Sequence, residues 1–328
     1  MKNMKAKALT EGAVCAALTV LFTVIAMYVP FFAMLSMFIT GIPSMYLAVK
    51  HGSKVSVVSA VAAALVLFIV TGDILSAVLT SAVYILPGLA VGYNMGHGRS
   101  FKRSVFSASA TIVFGFVLTL IFINLSGGGN GIEKMIDEAI GNSRSVMSSA
   151  LDMLPSAKGI DTAEITKTMN TMFKLIKNLM LLYLPAIVIG ISTVLGYTVT
   201  AVGIFVLRRL GIKNITYIPV SLIHASRGLC YAASILFLIA SFSPDTGVLN
   251  GALKNLTAVM LAYISVCGFS LVDYSVGKRI SSGYLRACLY IGVFVLGYFL
   301  TGFILQGLII LGMIDGIFNF RRLYKAGE

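Results

Sequence analysis

The sequence predicts an all-α protein, a polytopic bundle of transmembrane helices. Three observations carry this. Of 328 residues, 58% are hydrophobic and only 11% charged, where a soluble domain carries roughly a quarter charged residues. Apolar runs of about 18–22 residues recur, each long enough to cross a hydrocarbon core of roughly 30 Å. The runs are continuous rather than alternating, and backbone polar groups must be satisfied inside lipid, so they read as helices rather than barrel strands.

The spans fall near 9–29, 31–49, 54–71, 74–93, 104–124, 179–207, 227–242, 251–272, 284–300 and 303–319. Pro30 makes the first turn tight, because the residue ahead of a proline is pushed out of helix. Residues 1–29 imitate a secretory signal, but the apolar stretch is too long and no small-x-small site follows, so an uncleaved first span is expected. Residues 284–319 form one apolar run, with Thr301–Gly302 as a hairpin point. Fusing the last two spans would throw "RRLYK" onto the face opposite most other basic residues. About ten spans are therefore expected, with eight or nine as alternatives and both termini on the cytoplasmic side of a bacterial cytoplasmic membrane.

The formal charge of +13 is spread over short loops, as positive-inside topology requires, and does not argue for nucleic acid. Cys15, Cys230, Cys267 and Cys288 lie in apolar runs without CxxC spacing and read as small buried hydrophobes.

Three regions follow: a five-span N-terminal region (1–124), an outer-side helical hairpin (125–178) and a C-terminal membrane region (179–328). The hairpin opens with "SGGGNG", a flexible hinge composition. Helical periodicity then appears over 132–153 and 162–180, the second preceded by Asp161 and Glu164 at capping-box spacing. Such a hairpin lies on the lipid surface, packs on the spans, or forms a lid over an outward cavity.

No GxxxxGK[ST] loop, HExxH, GxSxG elbow or arginine ladder is present, and the three histidines are scattered. Neither an enzyme nor a cofactor or metal is expected; membrane lipids are the obvious partner. Charges inside spans are the default functional suspects. Glu11 is placed in the first turn of the opening helix, where the dipole favours an acid, as an interfacial charge or a partner contact. Asp73, after Thr71–Gly72, is either a turn residue or part of an outer pocket with Thr71 and Tyr84. Asp273 and Asp315 are expected to pair with Lys278–Arg279 and Arg321–Arg322. "IPVSLIHASRGLC" (218–230) reads as an interfacial helix, with His224 and a snorkelling Arg227.

Small residues four apart let helices approach in lipid. Such ridges stand at Gly12/Ala16, Ala13/Ala17 and Gly312/Gly316. The first two, beside Glu11, lie at the cytoplasmic end of span one, where a second protein can reach them.

The AxxxA spacing at Ala13–Ala17, the turn "YVPFF", the segment "GIPSMYLAVKHGSKVSVVSAVAAAL" and "ILPGLAVGYNMG" resemble the N-terminal half of the S-components of energy-coupling-factor vitamin transporters. The full length, especially "GMIDGIFNFRRLYK", is similar to the YybS-like bacterial membrane proteins. This resemblance implies an S-component-like core with additional C-terminal spans, an outward pocket for a small molecule, and no ATPase of its own. It also implies docking through Ala13 and Ala17 on a transmembrane coupling protein driven by separate ATPases. The chain departs from the S-component pattern in its roughly four additional spans and its insertion at 125–178. A non-transporting scaffold or regulatory protein is the alternative.

Overall fold

Proline and glycine, more than hydropathy, set where the helices break. The computed structural model describes residues 2–153, 162–212, 215–243, 247–280, 282–296 and 301–321, and every regular element among them is helical. Its contacts divide the chain into two compact units: Met1–Leu184 with Ile191–Thr216, and Pro185–Gly190 with Tyr217–Glu328.

In the first unit α1 spans Lys2–Tyr28. Val29 is extended ahead of Pro30, the first residue of α2 (Pro30–Ile39), as a pre-proline position must be. The run expected as one span over 31–49 is broken at Thr40–Gly41, with Pro43 in the first turn of α3 (Ile42–His51). α4 (Ser53–Thr71) ends on left-handed Gly72, whose N–H closes on the Phe68 carbonyl. Next come α5 (Ile74–Tyr84) and α6 (Leu86–Gly96), bent by 41° where one span was expected. α7 covers Phe101–Ser126.

The "SGGGNG" segment forms a hydrogen-bonded turn. Gly128 and Gly129 take positive φ, and the N–H groups of 127–129 bond back to carbonyls of α7. α8 (Gly131–Met153) follows, then α9 (Thr162–Arg209), a single 48-residue helix joining the second hairpin arm to the expected sixth span. Lys177 of α9 holds Glu133 and Asp137 of α8 at 2.9 and 2.8 Å, so the two arms lie side by side. The capping residue Asp161 falls outside the described residues.

One core cluster of this unit is rich in alanine: Ala16, Ala60, Ala63 and Ala77 pack with Leu67 and Ile85. α6 meets α3 through a glycine ladder. A side chain on Gly88 would collide with the Gly41 backbone, and a Cβ on Gly92 or Gly96 would stand 2.8 Å from the Met45 Cα or the Ala48 carbonyl oxygen. In lipid, such backbone proximity is a main source of helix association.

The second unit holds the 3₁₀ turn Val220–Leu222, α10 (Arg227–Phe242), α11 (Val248–Arg279), α12 (Gly283–Leu296) and α13 (Thr301–Phe318). Gly268 and Gly312 let α11 and α13 cross backbone to backbone, and a side chain on Gly316 would strike the Cys230 Sγ. The Gly312/Gly316 ridge thus serves internal packing. The 218–230 stretch is not the interfacial helix expected. Beyond its one 3₁₀ turn it is extended up to Arg227, and side chains take up its carbonyls: Ser270 bonds the Ile223 oxygen at 2.7 Å.

Among the described residues, five helices are long and apolar enough to cross a membrane: Ala6–Tyr28, Ser53–Thr71, Phe101–Ser126, Lys167–Arg209 and Val248–Arg279. The bent α5–α6 pair makes a sixth, while Arg227–Phe242 and Phe303–Phe318 are apolar but shorter. The molecule is an all-α, multi-pass membrane bundle. Of the remaining stretches expected as spans, 31–49 is broken at Thr40–Gly41, and the end of 284–300 lies outside the described residues.

Candidate functional site

The opening helix shows two small-residue flanks that differ by one position, and they meet different surroundings. Gly12 and Ala16 are buried: a Cβ on Gly12 would touch Val55 of α4, and Ser59 donates to the Gly12 carbonyl at 2.8 Å. Ala16 belongs to the alanine core with Ala60 and Ala63. Ala13 and Ala17 are exposed, and so are Leu9, Val14, Leu18 and Leu21. Hence one flank is spent on α4, while the other forms an apolar, low-relief strip that no described part of the chain covers.

Glu11 lies beside this strip, but not for the reason expected. α1 begins at Lys2, so Glu11 is beyond the first turn, where the helix-terminal field has faded. Its partners come from the end of α3. The Lys50 Nζ and His51 Nε2 stand 2.9 and 2.8 Å from its Oε2, and the Tyr46 hydroxyl donates to the same oxygen at 3.3 Å. Lys50 also donates to the Tyr46 hydroxyl. This cluster locks α1 to α3 and gives Glu11 an internal role.

The outer-pocket residues are not gathered. Asp73 caps α5: its carboxylate accepts the Leu75 and Ser76 N–H groups at 3.1 and 2.9 Å and the Ser76 hydroxyl at 2.6 Å. Those bonds, the Ser76 hydroxyl first, hold its carboxyl below the usual aspartate range. Thr71 bonds the Leu67 carbonyl of its own helix at 2.9 Å. Tyr84 is at the far end of α5, about 16 Å along the axis.

Other charged groups find partners that linear proximity did not indicate. Asp273 pairs with Arg286 at 3.4 Å and accepts from the Tyr290 hydroxyl at 2.7 Å, in place of the expected Lys278–Arg279. Asp315 pairs with Arg321 at 3.0 Å, as expected, yet both are buried rather than interfacial. Arg321 also donates to the Ser221 carbonyl and to Ser270 of α11. Asn319, at φ +53°, ends α13 and lets Arg321 turn back. Arg322 is outside the described residues.

Cys15, Cys230 and Cys267 are buried, whereas Cys288 is exposed, against expectation: its face of α12 is not covered. Among the described residues no group of three or more His, Cys, Asp or Glu side chains converges as a metal site would. Ser270 and the Gly88/Gly92/Gly96 ladder escaped the sequence reading. The ladder's signal was the four-residue spacing within "LPGLAVGYNMG".

No curated protein and no solved structure matches the chain. Residues 17–316 match the family described as predicted membrane protein (DUF2232), which spans most of the chain and includes all the complete helices from α2 to α12. With its membrane-crossing helices and its extent of match, this chain belongs to the DUF2232 family of membrane proteins.

Proposed function

We propose that this protein is the small-molecule-binding membrane subunit of a transport system, similar to an energy-coupling-factor S-component and to the YybS-like proteins, with no ATPase and no enzymatic activity of its own. It sits in the bacterial cytoplasmic membrane with both termini inside and docks on a transmembrane coupling protein served by separate ATPases. The observation that carries this reading is the division of the opening helix. Gly12 and Ala16 are packed against α4, while Ala13 and Ala17, the two positions the resemblance assigns to docking, are uncovered. A strip of small residues lets a partner helix come close without displacing any side chain of this chain.

The test uses A13L/A17L in the tagged full-length protein. Affinity capture from native membranes is expected to recover a transmembrane partner with ATPase subunits for the wild type and to lose them for the variant. The variant should stay monodisperse. Native mass spectrometry of the wild type should also find a bound small molecule. Capture unaffected by the bulk, or protein empty across preparations, would sink the proposal.

The scaffold reading has one observation in its favour. Asp73 and Thr71 are engaged in capping and back-bonding rather than held ready for a ligand. It expects the same capture to return a stoichiometric partner lacking ATPases, with no small molecule on the protein.

A further inference from the structure

The cationic end of α11 has the makings of a binding site that the opening helix does not share. Tyr274, Ser275, Val276, Lys278 and Arg279 line an open concavity of about 250 Å³. The Lys278 ammonium stands 5.6 Å from the centre of the Tyr274 ring, and the Arg321 guanidinium 5.8 Å from it, so one aromatic ring has two cations close to it. Asp273 is engaged by Arg286 and Tyr290, and Asp315 by Arg321. Among the described residues Arg279, exposed at the last turn, makes no ion pair, and this end of α11 carries more basic groups than acids.

We propose that this concavity binds the phosphate headgroup of an anionic phospholipid. The lipid, rather than free phosphate, follows from its surroundings. α11 is long and apolar enough to span the membrane, so its end comes to the headgroup layer, where basic residues attract anionic lipid. Val276 adds an apolar wall to the concavity, and Tyr284 and Leu285, at the start of α12, are exposed. The Arg286 guanidinium packs against Gly277, which sets the start of α12 beside this end of α11. Cations above and uncovered apolar surface beside them suit a headgroup with its acyl chain, whereas a free anion favours a closed, polar cradle.

The experiment is a native mass spectrometry titration of the full-length protein in detergent with phosphatidylglycerol, and with phosphatidylcholine as the neutral reference. K278Q/R279Q should weaken phosphatidylglycerol binding by roughly tenfold or more, given the contribution of each basic residue at a membrane surface. S275E, which adds an acid at the rim and leaves both cations in place, should weaken it as well. K102Q/R103Q, an equal change of charge on the exposed start of α7, should leave binding unchanged. All variants are compared as monodisperse protein. Three outcomes would overturn the proposal: no loss in K278Q/R279Q and S275E, an equal loss in K102Q/R103Q, or displacement of the lipid by millimolar inorganic phosphate.

Discussion

The two units of this protein solve the same problem, holding helices together where burial of apolar surface gives no advantage over lipid, in different ways. The N-terminal unit relies on small residues: the alanine core around Ala16 and the glycine ladder of α6. Its charged cluster at Glu11, Lys50 and His51 is partly exposed, where ion pairs contribute little. The C-terminal unit also uses close glycine contacts, Gly268 with Gly312 and Gly316 with Cys230, and adds a buried ion pair whose arginine also ties down the carbonyl of Ser221. Charge bridges two helices at a partly exposed edge in the first unit and forms a buried hub in the second.

Each unit carries its own reporter of opening. The chain lacks tryptophan, but Cys15 is buried in the first unit and Cys230 and Cys267 in the second, so thiol labelling during heating can follow them separately once exposed Cys288 is replaced by serine. The largest effect is expected from G268V and G88V. Each pushes a side chain into backbone that cannot move aside, so the loss should exceed the ~1–3 kcal/mol of ordinary overpacking. Labelling of Cys230 should rise in G268V and labelling of Cys15 in G88V. If both reporters respond to either variant, the two units do not open independently.

Next comes the hub. R321M strands Asp315 in a buried site and should cost about 3–5 kcal/mol, read from the labelling temperature of Cys230. Adding D315L should restore most of it, because an apolar pair of similar volume needs no solvation. E11Q is the matched change in the first unit and should barely move the Cys15 temperature; an effect as large as that of R321M would erase the contrast. Between these lies A16L, at ~1–3 kcal/mol for crowding the alanine core, against a near-silent A17L one residue along.

The smallest expected effect is at the α4–α5 turn. Because folding holds the Asp73 carboxyl below its ordinary value of 3.8, its contribution is complete above that value and is lost as pH falls through the lowered one. Helical circular dichroism on heating should show wild type losing its margin over D73A in that acidic window and keeping it at neutral pH.

How much of this was legible beforehand depends on the range of the interaction. Breaks at Pro30, Gly52 and Gly72 are local, and α10 occupies the expected 227–242 because its ends are set by nearby residues: Ser226 caps the start. The Gly312/Gly316 ridge was legible for the same reason. Which flank of α1 packs inward was not. The helix is apolar nearly all round, so periodicity carries no direction, and Gly12/Ala16 and Ala13/Ala17 are equivalent as patterns. Nor could spacing reveal that Glu11 meets residues 39 and 40 positions away, or that Arg321 folds back past Asn319 to reach Asp315 and Ser270. The fusion of the hairpin's second arm with the next span was hidden because polar and apolar stretches can follow one another along one helix, here even across Pro185, which has no N–H to give the ladder.

That fusion sets a limit on how the molecule can be dissected. Forty-eight residues of α9 measure about 72 Å end to end, more than twice the roughly 30 Å of hydrocarbon a bilayer offers. A good part of this rod must therefore stand in headgroups or water. Trimming residues 131–178 would not remove a loop. It would sever a rod in mid-course and bare a fresh set of amide donors at the cut.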